Sequence, residues 1–204
     1  RKYRMSEILD KWLNAAEQGD PEAQTRLGVL YSEGQGVERD YETAAGWFLK
    51  AAEQGNFDAQ YNLGYLYDNG QGVDQSYREA AKWYRKAAEQ GDIYAQNNLA
   101  DMYDSGQGVE QDFGKAAKWY RMAAETGDSY AQHRLGELHA EGLGVEMNAT
   151  QAFAWFNLAS AAGFPSSAEC RDDVVARLSV SELEDAQRLA LELIARFAMD
   201  RRRR

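Results

Sequence analysis

Cysteine is almost absent from this chain: Cys170 is the only one, so no disulfide can form within it. Reducing compartments suit such a protein, and so do extracytoplasmic ones where a fold dispenses with disulfides. A single cysteine in a helical stretch reads as a small buried apolar residue rather than a nucleophile. Histidine is scarce as well. His133 and His139 lie six apart, on different helical faces and away from the i, i+4 spacing of a metal pair. No metal or cofactor is expected. Apolar runs are only a few residues long, far short of a membrane span, so membrane insertion is not expected. Positive charge is also in short supply, with 23 Lys and Arg against 33 Asp and Glu for a net −10. Four of those positive charges are the arginines at 201–204, so the body without them carries −14. Such a body repels phosphate backbones, which argues against nucleic acid and leaves a basic protein or a polar peptide as the compatible partner. The run from Arg201 to Arg204 reads as a solvated basic tail.

What the chain does have is a segment that returns every 36 residues. Ala15-Ala16-Glu17-Gln18-Gly19-Asp20 recurs from Ala51 to Asn56, from Ala87 to Asp92, and from Ala123 to Asp128 with Thr126 in place of Gln. A fixed period of this length means stacked copies of one supersecondary unit. With 44% hydrophobic and 12% aromatic residues, the chain can bury a substantial core.

Residues 20–55 show the unit. Asp20 is a good N-cap, Pro21 suits the first helical turn, and Ala23, Leu27, Leu30 and Tyr31 form an apolar stripe. Gly34 supplies a left-handed residue to end that helix, and Gly36 a second positive φ in the turn. Asp40 then caps a second helix carrying Ala44, Ala45, Trp47, Phe48, Ala51 and Ala52, which Gly55 closes. The other copies repeat the logic. Caps fall at Ser76, Asp112 and Asn148, with Ser76 and Glu79 in capping-box spacing; core leucines fall at Leu63, Leu99 and Leu135. Trp47, Trp83, Trp119 and Trp155 are expected in the core, each followed by Phe or Tyr. Gly28, Gly64 and Gly136 sit mid-helix with Ala100 at that place in the third copy, so small size is what the site requires and close helix approach is its expected cause.

The expected architecture is therefore an all-α solenoid of antiparallel helix pairs over residues 1–200. It has an N-terminal capping helix at 1–19 and repeats at 20–55, 56–91, 92–127 and 128–163. A degenerate C-terminal cap follows at 164–200, and the basic tail at 201–204. The last helix, begun by Ser179 and Glu182 in capping-box spacing, is expected to cover the final apolar face and turn a charged one outward.

The pattern Ala23-x-x-x-Leu27-Gly28-x-x-Tyr31-x-x-Gly34-x-Gly36-Val37-x-x-Asp40, followed by Ala44-x-x-Trp47-Phe48-x-x-Ala51-Ala52-x-x-Gly55, resembles the Sel-one-like repeat, a relative of the tetratricopeptide repeat. The resemblance covers residues 15–163. It implies a right-handed superhelix whose first helices line a concave face, used as an adaptor or binding platform for a protein or extended peptide. Some bacterial members are immunity proteins, so a protein that plugs a basic effector is the alternative function. A cysteine-rich branch has been linked to penicillin binding; this chain has one cysteine, and a cell-wall or β-lactam enzyme is the remotest reading. Bacterial members are often secreted, periplasmic or regulatory, and this chain is expected to be cytoplasmic, or periplasmic or secreted after leader removal. No leader pattern stands next to Arg1, and each of these compartments stays open.

No catalytic motif announces itself, and the chain is expected to be non-enzymatic. The Gly-x-Gly turns follow helices rather than strands and lack a P-loop lysine, which makes them connectors. Asn148-Ala149-Thr150 matches a glycosylation acceptor, yet Asn148 stands at a helix cap. What remains is the face of the first helices that varies between copies: Thr25, Arg26 and Val29; Tyr61, Asn62 and Tyr65; Asn97, Asn98 and Asp101; His133, Arg134 and Glu137. The last three sets are the candidate partner-binding residues. Asparagines suit peptide backbone, tyrosines offer rigid amphipathic area, and Asp101 and Glu137 suit a cationic group. A monomer is the expected state.

Overall fold

The computed structural model describes residues 2–201; Arg202 to Arg204 of the basic tail lie outside the described residues. Among the described residues there are eleven α-helices and no strand. They are α1 (Lys2–Glu17), α2 (Pro21–Glu33), α3 (Tyr41–Glu53), α4 (Phe57–Asn69), α5 (Tyr77–Glu89), α6 (Ile93–Ser105), α7 (Phe113–Thr126), α8 (Ser129–Glu141), α9 (Ala149–Ala161), α10 (Ser167–Val175) and α11 (Val180–Arg201). The chain forms two compact units. One runs up to residue 95 and includes 107–109; the other comprises 96–106 and the chain from 110 onward.

In the first unit, α2 packs on α3 and α4 on α5 as helical hairpins. Their boundaries follow the cap chemistry. Asp20, Asp40, Asn56 and Ser76 each accept a hydrogen bond from a backbone N–H of the helix that follows, which satisfies a donor that has no intrahelical partner. Ser76 meets the Glu79 N–H at 3.3 Å, while the Glu79 carboxylate pairs with Lys82 at 3.0 Å. Gly34 and Gly70 end α2 and α4 in the left-handed region. Gly72, with φ of 70°, lies against the α3 N-terminus: a Cβ there would come within 2.2 Å of the Tyr41 carbonyl carbon. That turn is closed to every other residue.

Leu27 and Leu63 are buried, as are the alanines of α3 and α5. The mid-helix glycines take the close approach that their recurrence implies, and the neighbour is a ring. A Cβ on Gly28 would stand 2.5 Å from Phe48, and one on Gly64 would stand 2.8 Å from Tyr84. In these two repeats the aromatic after the tryptophan is the deeper of the two. Trp83 is buried, but Trp47 is only half-buried, with the Lys50 ammonium 4.2 Å from its ring centre. Core placement of the tryptophans holds in part.

The second unit repeats the arrangement with α8 on α9 and α7 against α8. Asp112, Asp128 and Asn148 are the caps. Trp155 is buried and Trp119 half-buried; Phe156 lies 2.7 Å from where a Gly136 Cβ would be. α10 and α11 both pack on α9, and Ala186, Ala190 and Phe197 of α11 are buried. Ser179 and Glu182 form the reciprocal capping box: the Ser179 N–H donates to the carboxylate at 2.8 Å and the Glu182 N–H to the hydroxyl at 3.3 Å. The outer side of α11 differs from expectation. Leu191, Ile194 and Met199 are exposed there, so the closing helix presents apolar side chains alongside its charges.

A buried glutamine follows the first alanine of each first helix. Gln24 Nε2 donates to the Ala16 carbonyl at 3.0 Å, Gln60 to Ala52 at 3.1 Å, and Gln132 to Ala124 at 3.1 Å. Each ties the start of one repeat to the helix before it. In the first unit the acceptor is also used: Gln54 donates to Gln24 Oε1 at 2.8 Å and Gln90 to Gln60 Oε1 at 2.7 Å. Thirty residues after Gln132 stands Ala162, which has no side-chain amide, and Gln132 Oε1 is buried without a partner among the described residues.

Two substitutions check this packing through urea midpoints. Gly64→Ala should destabilise by about 1–3 kcal/mol, because the clash with Tyr84 outweighs a helix-propensity gain of about 1 kcal/mol. Ala162→Gln should stabilise by about 0.5–1.5 kcal/mol by giving Gln132 Oε1 its donor. A neutral Gly64→Ala, or a destabilising Ala162→Gln, would contradict these assignments.

Candidate functional site

The first unit holds a cavity of about 650 Å³ between α1, α2 and α4. Leu9 and Trp12 of α1 line it, together with Glu22, Thr25, Arg26, Val29 and Leu30 of α2. The turn at Gln35 and Gly36, with Asn56, Asp58 and Asn62, completes it. Thr25, Arg26, Val29 and Asn62 occupy the varying register of the first helices, so the sequence pattern and the cavity coincide here. Trp12, Glu22 and Asp58 were not singled out in sequence, since Trp12 lies outside the repeat and the two acids sit in the first helical turns.

Asn62 is half-buried. Its Nδ2 donates to the Asp58 carbonyl at 2.8 Å, one turn back on α4. Tyr61 is also half-buried, its ring 5.8 Å from Tyr84 and 5.9 Å from Tyr94. Tyr65 is the open member of this set, 45% exposed.

The second unit treats the same register differently. Asn97 is buried and donates to Asp128 at 3.0 Å. Asn98 is half-buried. Asp101 accepts from the hydroxyls of both Tyr120 and Tyr130, the latter at 2.6 Å. Arg134 Nη2 meets Asp104 at 2.7 Å, its Nη1 meets Glu137 at 2.5 Å, and its Nε donates to the Tyr120 oxygen at 3.3 Å. His133 is buried beside the Phe164 and Phe156 rings, with Nδ1 2.9 Å from Ser167 Oγ and Nε2 3.4 Å from Glu137. Asp101, His133, Arg134 and Glu137 therefore come together, in a network closed on itself by Asp104, Tyr120, Tyr130 and Ser167.

Two of these partners carry a sequence signal. The ring position after the tryptophan is Tyr in the second and third repeats and Phe in the first and fourth. A hydroxyl there takes an aspartate of the preceding helix: Tyr84 donates to Asp68 at 3.3 Å, as Tyr120 does to Asp101. The electrostatics follow from burial. Burial pushes the Asp101 carboxyl above its ordinary value, against the pull of the two tyrosines and Arg134. Burial likewise raises the Tyr120 and Tyr130 phenols, with Asp101 adding to it. His133 is lowered by burial, which outweighs Glu137. The Cys170 thiol is raised, again by burial first, and is not an activated nucleophile. No metal-binding cluster of His, Cys, Asp or Glu occurs among the described residues.

Because the folded state holds the Asp101 proton to higher pH than the unfolded chain, ionisation there costs stability. The contribution is complete below about pH 4 and is lost as pH rises through the folded value. Asp101→Asn removes this titration. Chemical unfolding at a series of pH values should show wild type losing stability relative to Asp101→Asn as pH rises from about 4 to 7. A constant difference, or one of opposite slope, would contradict the reading.

The Sel1 repeat family matches residues 21–56, 57–92, 93–128 and 129–164. No curated protein matches the chain. Among solved structures, a Sel1 repeat protein from Oxalobacter formigenes is 32% identical, with 97% of this chain and 83% of that one covered and a TM-score of 0.77. A protective antigen present in uropathogenic Escherichia coli strains, displaying an SLR fold, is 34% identical over 94% of this chain and 49% of its own, with a TM-score of 0.56. The cysteine rich protein B of Helicobacter pylori shares the fold at 22% identity, covering 64% of this chain and 93% of that one, with a TM-score of 0.50. No helix among the described residues is long and apolar enough to cross a membrane. With four consecutive 36-residue copies matched, the chain belongs to the Sel1 repeat family, whose members are in general non-catalytic scaffolds that bind proteins.

Proposed function

We propose that this chain is a non-catalytic adaptor that binds a partner protein through an extended segment, held on the first-helix face of the first unit. The cavity between α1, α2 and α4 carries this reading, because Thr25, Arg26, Val29 and Asn62 of its lining stand at register positions that change from copy to copy. Its volume of about 650 Å³ suits several side chains of a peptide. Its walls offer apolar area from Leu9, Trp12 and Val29, and side-chain amides from Gln35, Asn56 and Asn62. A cleft formed by packed helices lowers the ordering cost on the receptor's side.

The set of candidate residues narrows accordingly. Tyr61, Asn62 and Tyr65 remain in the proposed face. Asn97, Asp101, His133, Arg134 and Glu137 are engaged in bonds within the second unit, so their proposed role is to hold that unit together; Asn98 is the residue there that keeps a proposed contact role.

Peptides selected from a random display library against the whole chain test the proposal. Asn62→Arg, which projects a long side chain into the cavity, should weaken the selected peptides at least about tenfold, a loss of about 1.4 kcal/mol. Lys118→Ala, on the exposed side of α7, should leave them unchanged. Equal binding by Asn62→Arg with unaltered helical content would overturn the proposed face.

A further inference from the structure

The cavity wall already holds a cation. The Arg26 guanidinium carbon lies 4.9 Å from the Trp12 ring centre, and its Nη2 lies 3.1 Å from Glu22 Oε1. An aromatic face and a carboxylate thus converge on one guanidinium, the pairing that selects Arg and Lys side chains. The resident pair is more than half exposed, with side-chain exposures of 55% for Arg26 and 69% for Glu22, so it exchanges readily with an incoming group. Asp58, which also lines the cavity, has no ion pair among the described residues. The negative field of Asp58 is felt nearby: the Asp92 carboxyl is pushed above its ordinary value by burial first and by the Asp58 charge after it.

Resting on the peptide-binding reading above, we infer that this cavity takes an arginine or lysine side chain of the partner segment, placed between the Trp12 face and the carboxylates of Glu22 and Asp58. The sequence had offered Asp101 and Glu137 as the cation-attracting acids. In the folded chain Glu137 is paired with Arg134 and Asp101 is held by two tyrosine hydroxyls, so neither is open to a ligand. Of the acids lining the cavity, Asp58 has no ion pair among the described residues and Glu22 only an exposed one, in a chain whose net charge is −10. Long-range attraction then speeds encounter with a basic segment, and the cavity fixes which side chain is seated.

Two synthetic pools of extended peptides, randomised at every position except a central Arg in one and a central Glu in the other, provide the test. Binding of each pool to the whole chain is followed by fluorescence anisotropy. The Arg-centred pool should bind at least about tenfold more tightly, and the advantage should shrink as salt is raised. The double variant Glu22→Gln, Asp58→Asn should bring the two pools to within about twofold, with unaltered helical content. If both pools bind wild type equally, the cation site is wrong while the peptide-binding face stands. If the Arg preference survives in the double variant, the cation is seated elsewhere and the inference fails. If neither pool binds at all, the peptide-binding reading falls and the inference falls with it.

Discussion

A ring on a glycine holds three of the four hairpins together. Phe48 on Gly28, Tyr84 on Gly64 and Phe156 on Gly136 lie so close that a single methyl group on the glycine would meet the ring below ordinary contact distance. That proximity sets the spacing of the two helices in a hairpin and, through it, the register of everything else the hairpin carries. Alanines fill the second helix because larger side chains would force the helices apart, and interiors do not tolerate the mismatch. The cost of glycine inside a helix, about 1 kcal/mol against alanine, is offset by the area the ring buries.

Once that distance is fixed, the polar groups have few places to go. A tyrosine hydroxyl at the ring position reaches the carboxylates at the end of the first helix, which is why Asp68 and Asp101 are drawn inward. Arg134 then spans Asp104 and Glu137 and closes the second unit's face upon itself. In the first unit the ring of the first repeat is Phe48, which has no hydroxyl to offer, and the same register borders an open cavity lined by Val29 and Asn62.

The fold was legible in the sequence because it rests on features that recur. Caps at Asp40, Ser76, Asp112 and Asn148, the left-handed glycines and the core leucines announce themselves four times over, and the structure has them at those places. The buried glutamines recur as strictly, at Gln24, Gln60, Gln96 and Gln132, yet polar residues are read as surface unless invariance between copies is weighed against polarity. The candidate face was harder. Variation between copies marks positions released from the repeat's packing, and a released position either meets a partner or makes a bond particular to its own copy. Asn97 and His133 are of the second kind, and nothing in their local sequence distinguishes them from Asn62. The tryptophans failed in part for a related reason: an indole body can lie on the surface under a lysine as well as inside, as Trp47 does.

Amide and indole NMR spectra of the whole chain, recorded while a selected peptide is added, reach the central claim most directly. Shifts concentrated on the Trp12 indole, the Asn62 side-chain amide and the α2 backbone, with the Asn97 amide and the Arg134 guanidinium unmoved, are the expected result. Shifts centred on Asn97, Arg134 and Glu137 with Trp12 silent would mean that the second unit's network opens to bind, and would contradict the account.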